Sequence, residues 1–360
     1  MTDHVVGLRI APLDVLFFRD GRSFGPASTA ESALPQPQTL AGALRTHLLN
    51  VVGCDFDALA AAIKGGQDFA EAAAAQSEAV GAIAALRFRG PWLFRDGKPL
   101  VPVPATLLSK EETGEIIRLD PLQDDLPGWA PSEEGMRPLW TVARGTRKRC
   151  QGYLTFNGLA RFLDRRRLEP SDIIPAGELY NLDRRTGIAV DRQSAAAQEG
   201  MIYTIALLSL RAEVEFYTEV VGQTASFDQL FAAPFVMAFG GEGRRVAVAR
   251  TSVPIDWPEV KAEPASGSCS LLLLTTAAPF GGWKPSWMKP VAAAVSDHVA
   301  VSGWDLARGG PKPNRFAVAA GAVYFLDNLP RDRAYTRSLC AEADARLGWG
   351  HFLIGAWHHV

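Results

Sequence analysis

Cysteine is scarce in this chain. Its 360 residues hold four, Cys54, Cys150, Cys269 and Cys340, far apart and with no Cys-x-x-Cys pair. The six histidines fall at none of the spacings of a zinc site, so the thiols read as free rather than as metal ligands or a disulfide framework. No apolar run approaches the roughly 20 residues of a membrane span, and the N-terminus lacks a signal-peptide pattern; a cytoplasmic protein is expected. Also missing are a Gly-x-Ser-x-Gly elbow, the lysine-serine ending of a P-loop, and paired carboxylates for acid-base work. No cofactor is expected.

What remains is a well-packed chain, 48% hydrophobic, with a net charge of −2. Its length exceeds the usual size of one core, so two domains are expected, with a cut near residues 165/166. The charge is unevenly spread. Arg137 to Arg192 holds twelve Lys/Arg against six Asp/Glu, a local +6 that leaves −8 for the rest. Such a patch holds a polyanion without a basic protein overall, although a solvated loop region has the same composition. Arginine outnumbers lysine, which suits bidentate phosphate contacts.

Along the chain, His4–Ile10 reads as a first strand. A proline segment, Leu34–Pro37, leads into a helix from about Thr39 to Val52, with Thr39 as N-cap and Leu40, Ala43, Leu44, His47 and Leu48 at helical spacing. Residues 57–85 are alanine-rich and helical. Asp96-Gly97 marks a hairpin. Residues 110–137, acidic and rich in Pro and Gly without periodicity, read as a mobile loop or a partner-facing insertion. Met201–Phe216 reads as one long strand, Phe227–Met237 as a helix, Ser270–Thr275 as a buried strand, and His351–Trp357 as a closing strand. The order of elements fits two ferredoxin-like units better than a doubly wound sheet, because long βαβ alternation is missing.

Several segments carry candidate chemistry. Arg19 and Arg22 follow the first strand, and the helix start at Thr39-Leu40-Ala41-Gly42 follows the prolines, with Arg45 a turn on. Brought together, these form an anion pocket, since free N–H groups and the helix dipole favour phosphate. Arg144, Arg147, Lys148 and Arg149, and then Arg184, Arg185, Thr186 and Arg192, form two basic stretches interleaved with Tyr153, Phe156 and Tyr180, a composition suited to RNA. Glycines that let a backbone approach phosphate include Gly348 and Gly350, though a turn before the last strand explains them equally well. Gly240-Gly241-Glu242-Gly243-Arg244-Arg245 is a further glycine-rich loop. His47 lies in the first helix, where its spacing puts it near the apolar stripe. His298, His351, His358 and His359 show no partner in the sequence.

Three stretches together resemble a known family: "PLDVLFFRDGRSF…PQPQTLAGALR" at the start, "LDRRTGIAVDR" with "EGMIY" behind it, and "VAAGAVYF…GWGHFLIG" at the end. The chain is identified as similar to the RAMP-superfamily subunits that hold the crRNA 5′ handle in type III-B (Cmr) CRISPR effector complexes. The resemblance spans the whole chain. It implies an α+β fold of two ferredoxin-like (RRM-like) domains in tandem, and a non-catalytic, antiviral RNA-binding role. The implied partners are the crRNA handle, a large polymerase-like subunit and an adjacent backbone RAMP subunit. It implies a thumb hairpin, supplied by Arg184–Arg192 or by Arg144–Arg149, and a C-terminal glycine loop, here reduced to Gly348 and Gly350. The alternative within the same superfamily is an endoribonuclease that processes precursor crRNA through His47.

Overall fold

A computed structural model describes residues 4–18, 29–124, 126–131, 133–190, 197–222, 225–258, 270–305, 308–328 and 337–360. The chain mixes helices and strands in two compact units, each assembled from separate stretches: residues 1–91, 179–254 and 300–315 in the first, and 92–178, 255–299 and 316–360 in the second. A single cut after residue 165 therefore does not separate them. The reason lies in long-range strand pairing, which local sequence does not register.

In the first unit, strand His4–Pro12 lies between Glu215–Gly222 and Arg245–Arg250, antiparallel to both. It buries Val6, Leu8 and Ile10 and exposes Arg9. The first part of strand Arg87–Arg95 flanks Glu215–Gly222 on the far side. Numbered by chain order, these four strands stand in the order 2-3-1-4. The second unit repeats that order. Ser270–Leu274, Ala292–Ala294, Val323–Leu326 and Phe352–Ala356 are its strands 1 to 4, every neighbour antiparallel. Ser270–Leu274 is buried at every position, as a central strand covered on both faces must be. Helix Phe156–Leu163, N-capped by Thr155 through the Gly158 N–H, sets Leu159, Phe162 and Leu163 into a core with Leu271, Leu273, Val323, Phe325 and Leu353.

Local departures from the sequence reading have identifiable causes. The first helix is Pro37–Val51, with Gln36 at the N-cap and no side-chain cap bond. Pro37, whose φ is preset and whose missing N–H costs nothing in the first turn, starts the helix two residues before Thr39, which is not the cap. Phe227–Met237 is not a helix. A 3₁₀ turn, Ala225–Phe231, gives way to strand Phe235–Ala238, because Pro234 forbids helix continuation. The long strand is two, Ala197–Leu210 and Glu215–Gly222, broken by a turn with Glu213 at φ 70°. Residues 110–137 are partly built into strands. Leu107–Lys110 pairs with Ile116–Arg118 and Arg147–Arg149, and Asp120–Pro121 pairs with Leu139–Trp140. Among the described residues, no helix is long and apolar enough to cross a membrane.

Candidate nucleic-acid interface

The longest strand pair described in the first unit is the hairpin of Tyr180–Val190 and Ala197–Leu210, 11 and 14 residues long. Strand alternation places Leu182, Arg184 and Thr186 on one face and Asp183 and Arg185 on the other. Arg184, Arg185 and Thr186 are exposed. Arg185 donates to Asp183 through Nε and Nη2 at 3.0 and 2.8 Å, an exposed pair held weakly enough for a phosphate to replace the carboxylate. The base of the hairpin is anchored where Ile205 and Leu207 pack with Val15 and Phe17, and where Leu16 and Leu208 exchange backbone hydrogen bonds. Arg192 lies outside the described residues.

The second unit carries the other basic stretch. Arg147–Arg149 is an edge strand of a three-stranded sheet, paired on one side only with Leu107–Lys110. Arg144, Lys148 and Arg149 are exposed. Arg147 is half-buried and donates to the Ala143 carbonyl, which closes the loop that presents Arg144. Three cations on the short edge strand and Arg144 in the loop before it gather positive charge here, and the Cys150 thiol beside them is pushed up to about 11 by burial.

The expected anion pocket at the first helix is differently built. Arg19 and Arg22 lie outside the described residues. Gln36 and Gln38 donate to the carbonyls of Ala300 (3.0 Å) and Ser302 (2.6 Å), so the end of strand His298–Val301 occupies part of the helix start. Thr39 is half-buried in the first turn, and its N–H bonds to the Gln36 carbonyl at 3.0 Å. Arg45 points into the unit, not toward that end. It donates to the Leu86 carbonyl (3.2 Å), and its guanidinium sits 5.3 and 5.2 Å from the Phe69 and Phe88 ring centroids. Gly42 is exposed, and a Cβ there would meet nothing within 4 Å.

Gly348 and Gly350 are buried. The Gly348 carbonyl accepts from Thr276 Oγ1 (2.8 Å), and the Gly350 N–H donates to the Ala277 carbonyl (2.8 Å). A Cβ on Gly350 would stand 2.5 Å from Cys340 Sγ, so this glycine serves close packing. Gly240 does the same: its missing Cβ would lie 2.6 Å from the Phe17 carbonyl oxygen, which also accepts from the Gly241 N–H. His47 lies against Phe235 with its pKa lowered by burial. His351 is buried, its Nδ1 2.6 Å from Thr275 Oγ1 and its ring against Trp92. His298 lies 5.4 Å from the exposed ring of Phe316. None of these three settings has a signature in local sequence, since the partners come from other elements of the fold.

The model of the CRISPR-associated protein family Cas_Cmr3 matches residues 8–357. No curated protein sequence matches. Two solved chains share the fold: one in the cryo-EM structure of Type III-B Cmr-beta bound to cognate target RNA and AMPPnP, and one in that of Type III-B Cmr-beta bound to cognate target RNA. Both give a TM-score of 0.55, at 16% and 14% identity. Each comparison covers 95% of this chain, and 94% and 95% of the solved chains. With a family match over nearly its whole length, this chain belongs to the Cmr3 family of CRISPR-associated proteins.

Proposed function

We propose that this protein is a non-catalytic crRNA-binding subunit of a cytoplasmic type III-B effector complex, holding the repeat-derived 5′ handle of the guide. In that complex it docks a large polymerase-like subunit and an adjacent backbone RAMP subunit. The observation that carries the reading is the long hairpin with Arg184, Arg185 and Thr186 exposed along it. An extended two-stranded arm with cations on both faces can lie across a single strand and separate neighbouring nucleotides. We assign the thumb to this hairpin, and a second run of phosphate contacts to Arg144, Arg147, Lys148 and Arg149. The buried Gly348 and Gly350 take no part.

The repeated strand order 2-3-1-4 supports reading the units as tandem ferredoxin-like domains, interleaved along the chain. Trp140 and Val142, 44% and 86% exposed beside Arg144, supply the apolar surface that a protein partner covers. The alternative of a ribonuclease working through His47 is disfavoured by that ring's stacking and partial burial. The test is filter binding of the full chain to its repeat RNA. Arg184→Glu with Arg185→Glu should lose binding while melting unchanged; retained affinity overturns the assignment.

A further inference from the structure

Within the second unit, a groove of about 500 Å³ opens between strand ends that the RNA reading above leaves unused. Its walls include Gly281, Gly282, Trp283, Asp297, His298 and Phe316. Phe316 is 63% exposed, an unusual state for so large an apolar ring on a strand. It is nevertheless held in place. Strand Arg315–Val318 pairs with His298–Val301, and the His298 ring meets Phe316 edge-on, 5.4 Å between centroids at 72°. That contact braces the ring and leaves a flat face open. Another lining residue, Trp283, is also held. The Tyr324 hydroxyl donates to the Trp283 carbonyl at 2.6 Å, and the two rings lie nearly parallel, 6.4 Å apart.

The polar groups discriminate among flat ligands. The exposed Asp297 carboxylate accepts from the His298 N–H at 2.7 Å, which orients it beside the groove. A carboxylate repels phosphate and accepts from adjacent N–H donors, the pattern of the guanine N1–H and N2–H₂ edge. Gly281 and Gly282 have open space where a Cβ would stand, so a sugar-phosphate chain can pass close above that wall.

We infer that this groove takes one unstacked nucleobase of single-stranded RNA, stacked on Phe316 and favouring guanine through Asp297. The inference rests on the RNA-binding reading above. The test uses the full chain and unstructured uridine oligonucleotides carrying one guanosine, one inosine or one adenosine. Wild type should bind the guanosine strand several-fold tighter than the other two. Phe316→Ala should weaken binding of that strand about tenfold with an unchanged melt, as expected for losing one stacked base. Asp297→Asn, which keeps an acceptor for the His298 N–H, should erase the preference for guanosine. Equal affinities in all three proteins, with Arg184→Glu still losing RNA, overturn the groove alone. No binding by folded wild type overturns both readings. Unchanged RNA affinity together with weakened assembly of Phe316→Ala with protein subunits also overturns the inference and assigns the groove to a protein.

Discussion

His47 stacks on Phe235, ring centroids 4.2 Å apart and planes within 8° of parallel. Burial lowers the histidine's pKa, so the folded state favours the neutral ring. Below the unfolded value of about 6.5 the unfolded chain binds the extra proton, and stability falls as pH drops through the folded pKa. His47→Phe removes that titration. The variant should lose less melting temperature than wild type between pH 7.5 and 5.5, and repeat RNA incubated with either protein should stay intact. Cleavage that disappears in the variant would reinstate the ribonuclease.

Reversal of the edge cations tests the second basic stretch. Arg144→Glu, Lys148→Glu and Arg149→Glu alter exposed side chains and should leave the melt within about 0.5 kcal/mol of wild type. RNA affinity should fall with each change, and the slope of log affinity against log salt should flatten by about 0.7 per lost phosphate contact. An unchanged slope would assign these cations to solvent or to a protein partner.

Asp120 is the centre of a buried charge cluster absent from the sequence reading. Arg165 Nη2 donates to its Oδ2 at 3.1 Å, and Arg118 Nε lies 3.2 Å from its Oδ1. Arg118 also donates to the carbonyls of Phe162 (2.8 Å) and Ala356 (3.2 Å), joining helix Phe156–Leu163 to the last strand. Burial depresses the Arg118 pKa to about 10 against the pull of Asp120, so this cation depends on its counter-ion. Asp120→Ala leaves the largely buried Arg118 guanidinium and the half-buried Arg165 guanidinium without their shared counter-ion and should cost roughly 3–5 kcal/mol in chemical denaturation. A loss below about 1 kcal/mol would mean that water screens the cluster.

Legibility in the sequence followed the range of each interaction. The Asp96-Gly97 hairpin was readable because its turn needs two left-handed residues, and φ is 53° and 73° there. The first helix was readable from Leu40, Leu44 and Leu48, all buried. The strands around residues 107–149 were not, since two to four residues show no period. Nor was the interleaving of the units, which depends on His4–Pro12 finding partners more than 200 residues away. The same division holds for the site. Arg184 and Arg185 stood out through a contiguous family-like stretch, whereas Trp283, His298 and Phe316 converge only once their strands pair.

Gly42 poses the sharpest question about the first helix. A glycine inside a helix costs about 0.5–1 kcal/mol relative to alanine, so something should justify it. Gly350 and Gly240 are justified by Cys340 and Phe17 standing where a Cβ would go. Around Gly42 no described atom lies within 4 Å of that position, and the residue faces outward. Packing among the described residues therefore does not require glycine, whereas on the RNA-binding proposal a guide backbone passing over the helix surface would. Gly42→Ala should raise the melting temperature, by an amount corresponding to about 0.5–1 kcal/mol. Gly42→Val, which projects farther, should lower affinity for repeat RNA several-fold while the chain stays folded. If both variants bind RNA as wild type does, the guide does not cross this face. The handle contacts then rest on the hairpin and the basic edge strand alone.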